Sequence, residues 1–172
     1  MSDRLSRRRY VAGTGVALTL GTLAGCSGGG DGGDGGDGSD GEPEADALDD
    51  VPSEIDDYLS DGEARLYEGT ILDYTGQDEV TVAVGAGEVG FAYDPPAIRI
   101  DAGTTVVWEW TGAGGAHNVV SAEGSDSEFE SGDAVESEGE TFEQSFDDPG
   151  IQLYYCVPHE TSGMIGGIEV VE

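Results

Sequence analysis

The chain lacks lysine entirely, and its 172 residues include only two histidines, two cysteines and two methionines. It has 6 basic against 37 acidic residues, and its formal net charge is −31. This charge argues against nucleic acid as a partner, because phosphates would be repelled. An acidic excess without lysine is typical of a surface that stays hydrated at high salt, and we infer a halophilic origin. The length suits one domain with appendages.

The chain also lacks a long apolar run that would favour a membrane-spanning helix. The most apolar segment, residues 11–24, is short and rich in Gly and Thr, and it follows a twin-arginine-like motif at residues 6–11. It leads into a Leu-Ala-Gly-Cys sequence that resembles a lipobox and ends at Cys26. We therefore predict an export signal over residues 1–25 and a lipid anchor at Cys26. An uncleaved signal anchor and a disulfide between Cys26 and Cys156 are the alternatives.

A tether is predicted from Cys26 to residue 50, because this segment consists mostly of Gly, Asp and Glu and has almost nothing to bury. Cleavage before Cys26 would remove four arginines and Asp3, leaving Arg65 and Arg99 against 36 of the 37 acidic residues. We expect a disordered, self-repelling spacer. A specific acidic docking segment is the alternative.

The predicted folded domain covers residues 51–172 and reads as all-β. Apolar residues alternate with polar or small ones near residues 80–84, 98–100 and 106–110, which indicates strands. Further strands are predicted at residues 118–121, 141–146, 152–156 and 167–171. Clusters of Gly and acidic residues separate these segments, as in an antiparallel sandwich. Trp108 and Trp110 share one strand face, and we interpret them as core residues.

One short helical turn is predicted within residues 51–67. Ile55, Tyr58 and Leu59 can share one helix face, and Ser53 precedes them as a possible N-cap.

Scarce metal-binding residue types come together near the C-terminus. Cys156, His159 and Met164 have the spacing C-x2-H-x4-M, and His117 is the only other histidine. Two imidazoles, one thiolate and a weak axial thioether are the ligands of a blue-copper site. The residues therefore predict copper held by these four side chains. A zinc site of Cys and two His, or a set without redox function, is the alternative.

Catalytic interpretations have less support. A Cys–His nucleophile pair would need a third, orienting group, and none stands at an interpretable position. A copper oxidase or nitrite reductase would need further histidines for a second copper. We therefore expect a protein that is not an enzyme.

The chain resembles the plastocyanin and halocyanin branch of the cupredoxins, which are small blue-copper electron carriers. The resemblance covers roughly residues 65–172 and is carried by residues 91–95, 103–110, 117–120, 140–143 and 155–170. It implies a Greek-key β-sandwich of about eight strands, with one copper ion at one end. It also implies that His117, Cys156 and His159 are equatorial ligands, that Met164 is axial, and that Asn118 braces the cysteine loop.

The resemblance further implies that electrons pass through the edge of His159. Pro158, together with the small residues 113–116 and Met164, could form a flat apolar docking face there, although a glycine-rich loop without a docking role is the alternative. Tyr155 should point away from the copper and resembles a second, remote docking site, where acids such as Asp147 and Asp148 could assist. In molar salt the screening length is roughly 3 Å, which favours the apolar face.

The function expected from sequence is therefore a monomeric, lipid-anchored electron carrier. It would move one electron at a time between respiratory-chain proteins at the outer face of the membrane. A copper-binding or copper-delivery lipoprotein without electron-transfer duty is the alternative.

Overall fold

Ten β-strands and one α-helix make up the part of the chain that the computed structural model describes, residues 45–172. The expectations for the export signal, for Cys26 and for most of the tether lie outside these residues. The helix is α1 (Ser53–Asp61). The strands are β1 (Asp46–Leu48), β2 (Ile71–Asp73), β3 (Glu79–Ala86), β4 (Ala92–Asp94), β5 (Ala97–Asp101), β6 (Thr105–Trp110), β7 (Val120–Ser121), β8 (Thr141–Ser145), β9 (Gly150–Tyr155) and β10 (Ile165–Val171).

The strands form two sheets, with the orders β1-β2-β5-β10-β9-β7 and β4-β3-β6-β8. The predicted all-β, Greek-key sandwich is confirmed, because the chain passes repeatedly from one sheet to the other. Five of the eight strand pairs are antiparallel, as the sequence pattern indicates, whereas β2 with β5, β5 with β10, and β3 with β6 are parallel pairs that the pattern does not reveal. The chain between the two strands of each parallel pair visits the opposite sheet at least once, and a crossover of this kind allows the chain to return in the same direction.

The main core lies between the two sheets. The alternating valines of β3 and the isoleucines of β5 are buried there, as their period of two predicts. Trp108 and Trp110 of β6 are 0% and 2% exposed, which confirms their interpretation as core residues. Burying a large apolar side chain contributes roughly 1.5–3 kcal/mol, so this layer holds the framework around the metal ligands.

A second apolar cluster is built by α1. Ile55 and Leu59 are fully buried and Tyr58 is half-buried, which confirms the predicted helix face. The N-cap is Pro52 rather than the expected Ser53, and no side-chain hydrogen bond caps the helix. Proline fits this position because its backbone has no N–H to leave unsatisfied. Ile71, Ala97, Leu153 and Ile165 complete the cluster.

Ordered structure begins upstream of residue 51, within the segment that the sequence assigns to the tether. β1 pairs with β2, and Asp50 accepts hydrogen bonds from Arg99, which also binds Glu169 at 2.6 Å. No helix within residues 45–172 is long and apolar enough to cross a membrane.

Candidate metal centre

His117 is built into the framework of the sandwich, on the segment between β6 and β7. Its backbone N–H and C=O both pair with Val135 at 2.9 Å, and its carbonyl also accepts the indole N–H of Trp110 at 3.0 Å. The ring Nε2 lies 2.8 Å from the carbonyl oxygen of Ala113. A carbonyl can only accept, so Nε2 carries the proton and Nδ1 presents its lone pair. His117 is 1% exposed.

Gly85 makes room for this arrangement. Its φ is +88°, a left-handed conformation that suits glycine. A Cβ built at Gly85 would lie 2.6 Å from the carbonyl oxygen of Ala113 and 3.3 Å from the His117 ring. A side chain here would therefore disturb the acceptor that orients His117.

Cys156, His159 and Met164 lie on one loop, residues 156–164, which is closed by its own backbone. The His159 N–H donates to the Cys156 carbonyl at 3.0 Å, and the Met164 N–H donates to the His159 carbonyl at 3.2 Å. The Cys156 N–H in turn donates to the Met164 carbonyl at 3.0 Å. One turn of 3-10 helix, Glu160–Ser162, fills the middle of the loop. The loop therefore turns back so that its two ends meet.

Three donor atoms converge between the loop and His117. The Sγ of Cys156 lies 3.6 Å from Nδ1 of His117 and 3.6 Å from Nδ1 of His159, and the two Nδ1 atoms are 3.1 Å apart. The circumcentre of a triangle with sides of 3.6, 3.6 and 3.1 Å lies about 2.0 Å from each corner, and metal–nitrogen and metal–thiolate bonds are roughly 2.0–2.3 Å long. The three atoms thus fit around one transition-metal ion.

Met164 completes the donor set by its position. It follows the 3-10 turn, is fully buried and belongs to the same core cluster as Cys156. The structure thus brings together the four residues that the sequence selected, from a framework segment and a loop far apart in the chain.

The site favours neutral donors before a metal binds. Burial raises the pKa of the Cys156 thiol, although hydrogen bonds from the backbone of Asn118 and His159 oppose the rise. Desolvation lowers the pKa of His159, and the nearby His117 ring adds to the lowering. At neutral pH the metal-free site therefore holds a thiol and a neutral His159, so an incoming metal ion must displace the thiol proton.

Asn118 connects the framework to the loop. Its side-chain oxygen accepts the backbone N–H of Val157 at 2.9 Å, and its side-chain nitrogen donates to the carbonyl of Gly132 at 3.1 Å. Asn118 is 5% exposed, and its own carbonyl accepts the buried hydroxyl of Tyr93 at 2.6 Å. The bracing contact predicted for Asn118 is therefore present in this geometry.

Phe91 and the indole N–H of Trp110 contact the two histidines, and the sequence pattern does not predict either contact. Phe91 stacks on the His159 ring with centroids 4.2 Å apart and an angle of 19°, and it meets the His117 ring edge-on at 6.4 Å. Phe91 lay within a segment that carried the resemblance, and its neighbour Gly90 breaks the strand pattern. Contact with a distant histidine leaves no signal in local periodicity.

The predicted surface residues differ in their surroundings. Val157 and Pro158 are exposed beside the half-buried His159. Tyr155 is half-buried, and it packs against the α1 cluster. The face of β9 that carries Tyr155 is therefore partly covered by the N-terminal helix.

Two imidazoles, a thiolate and a buried thioether at one end of a Greek-key sandwich define a blue copper protein. Residues 80–171 match the family of copper-binding proteins of the plastocyanin/azurin type. The chain is also 60% identical over 166 residues to a halocyanin of Natronomonas pharaonis, across 96% of this chain and 98% of that protein. The chain belongs to the plastocyanin/azurin family of copper-binding proteins, which confirms the resemblance seen in the sequence.

Other relatives cover the C-terminal part. A plastocyanin of Scenedesmus fuscus is 37% identical over 98 residues, which are 54% of this chain and 99% of that protein. The structure of oxidised plastocyanin from Dryopteris crassirhizoma matches with a TM-score of 0.44 and 26% identity, over 53% of this chain and 99% of that one. Because this score is below 0.5, the fold assignment rests on the strand order. Copper is the cofactor, and the protein belongs to a family of electron carriers, not of enzymes.

Proposed function

We propose that this protein is a mobile one-electron carrier that binds one copper ion through His117, Cys156, His159 and Met164. The observation that carries the proposal is the triangle of Sγ and two Nδ1 atoms, whose sides are 3.6, 3.6 and 3.1 Å. A copper ion at this site supplies the Cu(I)/Cu(II) couple. His117, Cys156 and His159 would hold the ion through two imidazoles and a thiolate, and Met164 would contribute its thioether.

The protein contributes rigidity and exclusion of water. His117 is fixed by Val135, Trp110 and Ala113, so its Nδ1 cannot swing away when the charge at the site changes. Cys156 and Met164 are fully buried, which keeps solvent from both sulfur atoms. Transfer of an electron then requires little rearrangement of the side chains.

We further propose that electrons enter and leave at His159. Its ring is half-buried beside the exposed residues Val157 and Pro158, so a partner can approach the ring edge without opening the core. Small, weakly binding interfaces suit a carrier that must release its partner quickly. Tyr155 remains a proposed second contact, reached beside α1 rather than on an open sheet face.

The membrane part of the proposal rests on the N-terminal sequence. Residues 1–25 would be an export signal of the twin-arginine type, Cys26 would carry lipid, and residues 26–50 would link it to the copper domain at 51–172. Strand β1 shortens the free part of this link. The carrier would then act as a monomer at the outer face of the membrane, between respiratory-chain partners.

The first experiment tests the copper site. The purified mature chain, folded in molar salt, is titrated with Cu(II) and followed by visible absorption and electron paramagnetic resonance, beside Cys156→Ser. We expect an intense blue band, a narrow copper hyperfine splitting and a reversible potential, all absent from the variant. A colourless protein, or a tetragonal signal that is indifferent to Cys156, would refute the proposal.

The second experiment tests the location and the electron port. Wild-type protein should sediment with membranes, and Cys26→Ser should not. Val157→Glu, at a side chain that is 56% exposed, should slow reduction of the copper by respiring membranes without changing the blue spectrum. Ser145→Glu, on the exposed edge of β8 opposite Thr105, is the control and should leave the rate unchanged. Equal rates in both variants would contradict an electron port at His159.

Copper delivery without redox duty is disfavoured by the burial of the donors. A delivery site must pass its metal to a partner, whereas His117, Cys156 and Met164 are all at most 1% exposed. Slow release of copper from the protein to a chelator would support this distinction.

A further inference from the structure

The N-terminal part of the structure reaches the metal loop from outside the sandwich. Residues 62–66, which follow α1, run beside the 3-10 turn of the loop and are called the clamp below. They precede residue 80, where the family match begins. We propose that the clamp, through Arg65, holds the 156–164 loop in its metal-binding geometry, an inference that rests on the proposed copper site.

Arg65 makes two hydrogen bonds to consecutive carbonyls of the loop. Its backbone N–H donates to Gly163 at 2.9 Å, and its side-chain Nε donates to Ser162 at 2.7 Å. Both carbonyls lie where the 3-10 turn ends, and carbonyls at such ends lack partners within the turn. Met164 is the next residue, so Arg65 fixes the point from which the thioether enters the core.

Close packing supports the same contact. A Cβ at Gly163 would collide with the carbonyl oxygen of Glu63, and a Cβ at Gly62 would collide with Ile165. The clamp therefore touches the residues on both sides of Met164. Tyr58 of α1 adds a hydrogen bond to the carbonyl of Tyr154 at 3.2 Å, just before Cys156.

The backbone of the clamp is strained in a way that fits a positioning role. Glu63 and Leu66 have φ angles of +49° and +66°, which non-glycine residues adopt rarely. Such conformations persist only when surrounding contacts impose them. The strained residues flank Arg65 and bring its N–H and its side chain to the same face.

Arg65 differs from the other arginine of the described residues in the partners that it binds. Within residues 45–172 the basic residues are Arg65 and Arg99, and Arg99 pairs with Asp50 and Glu169. Arg65 forms no ion pair in this part of the chain, although Glu63 and Glu68 lie close to it in the sequence. Its guanidinium is directed at a carbonyl of the loop instead, and a hydrogen bond of this kind persists at high salt better than a surface ion pair does.

The test compares copper-loaded wild-type protein with Arg65→Gln, Arg65→Lys and the control Arg99→Gln in molar salt. Arg65→Lys keeps the charge but loses the planar Nε–H. We expect both Arg65 variants to release copper to a chelator about tenfold faster and to change the copper hyperfine pattern, because a hydrogen bond from a charged group is lost. Arg99→Gln removes the same charge far from the loop and should leave both properties unchanged.

Three results would overturn the proposed role of the clamp. The Arg65 variants could release copper at the wild-type rate, or Arg99→Gln could have an equal effect. An effect confined to Arg65→Gln would indicate that only the charge of Arg65 matters. Failure of the proposed function is a separate result, since wild-type protein would then show no blue site.

A measurement on wild-type protein covers the case in which an Arg65 variant does not fold. Coupling is reciprocal, so if the clamp favours copper binding, copper must stabilise the clamp. The Arg65 amide should therefore exchange its hydrogen more slowly in the copper-loaded protein than in the metal-free protein. Equal exchange rates would overturn the proposal.

Discussion

His117 and His159 lie next to each other but are held by different parts of the molecule. His117 is buried, and each of its polar groups except Nδ1 bonds to a residue of the sandwich framework. His159 is half-buried on a loop that closes mainly through its own backbone. The loop is tied to the rest of the molecule by Asn118, by Arg65 and by the stacking of Phe91.

This difference indicates that the framework and the loop have different roles in the site. The framework side sets a fixed Nδ1 position, which a carrier needs if its ligands are to move little between oxidation states. The loop side supplies the other donors and the exposed ring edge, and it depends on a few long-range contacts. Substitutions on the two sides should therefore have different consequences for stability, for the spectrum and for copper release.

The largest loss of stability is expected from Gly85→Ala, which changes the surroundings of His117 on the framework side. A left-handed backbone and overpacking each cost roughly 1–3 kcal/mol, so we expect a loss of about 2–4 kcal/mol in unfolding free energy. The blue band should weaken as well, because Ala113 would no longer orient His117. Denaturant unfolding at constant molar salt measures the change.

Gly76→Ala is the matched control for this prediction. Gly76 has nearly the same backbone angle, φ +85°, but a Cβ there meets nothing within 4 Å. It should lose stability through strain alone and keep its blue spectrum. If the two alanine variants lost equal stability, the close approach of residue 85 to the carbonyl of Ala113 would contribute nothing to the stability of the site.

Asn118→Ala should weaken the connection between the framework that holds His117 and the loop that carries Cys156. It removes two hydrogen bonds, one from the partly buried Val157 N–H and one to the carbonyl of Gly132, and their loss together costs about 1–3 kcal/mol. The reduction potential should shift, since the loop carrying Cys156 loses its tie to the framework. Voltammetry and thermal unfolding measure the two effects.

Gln152→Ala provides a comparison for Asn118→Ala. Gln152 is also a buried amide, and its oxygen accepts hydrogen bonds from Ser125 and Ser127. It lies four residues before Cys156 on β9, about 13 Å along the strand. This variant should lose stability without a change in potential. A shift of the same size in both variants would show that general loosening, not the Asn118 contact, sets the potential.

Trp110→Phe weakens the framework side by a smaller amount. Phenylalanine keeps an aromatic ring at this position but lacks the N–H that donates to the His117 carbonyl. That carbonyl still accepts a hydrogen bond from the N–H of Val135. We expect a loss of about 1–2 kcal/mol together with a change in the copper hyperfine pattern. Trp108→Phe, in the middle of the core, should cost similar stability and leave the pattern unchanged. Identical spectra for the two variants would contradict this role of Trp110.

The two sides also differ in how far the sequence predicts them. Cys156, His159 and Met164 can be selected from the sequence because they belong to scarce residue types and lie close together on one continuous loop. His117 follows from being the only other histidine. The supports are less visible. Phe91 reaches both histidines from a distant segment, whereas Trp110 and Ala113 lie only seven and four residues before His117, and their contacts depend on how the chain folds back there. Neither kind of contact appears as a periodic pattern in the sequence.

The same limit applies to the fold. Alternation of apolar residues identifies β3, β5 and β6, and spacing identifies the buried face of α1 around Ile55 and Leu59. Strands β1, β2 and β4 have three residues each, which is too short for a period of two to register. The parallel pairs depend on how the chain crosses between sheets, and the contacts of Arg65 depend on both the helix and the loop being in place.

The smallest effect is expected from Phe91→Leu, which attacks the loop side. Stacking of this kind is worth roughly 0.5–1.5 kcal/mol, so global stability should fall only slightly. The His159 ring would lose its support, and copper release should become faster. Phe142→Leu removes a comparable stack, on Trp108 at 5.5 Å, and should leave release unchanged. If the two variants released copper at the same rate, the loop would need no aromatic support, and its geometry would depend on Asn118 and the Arg65 clamp alone.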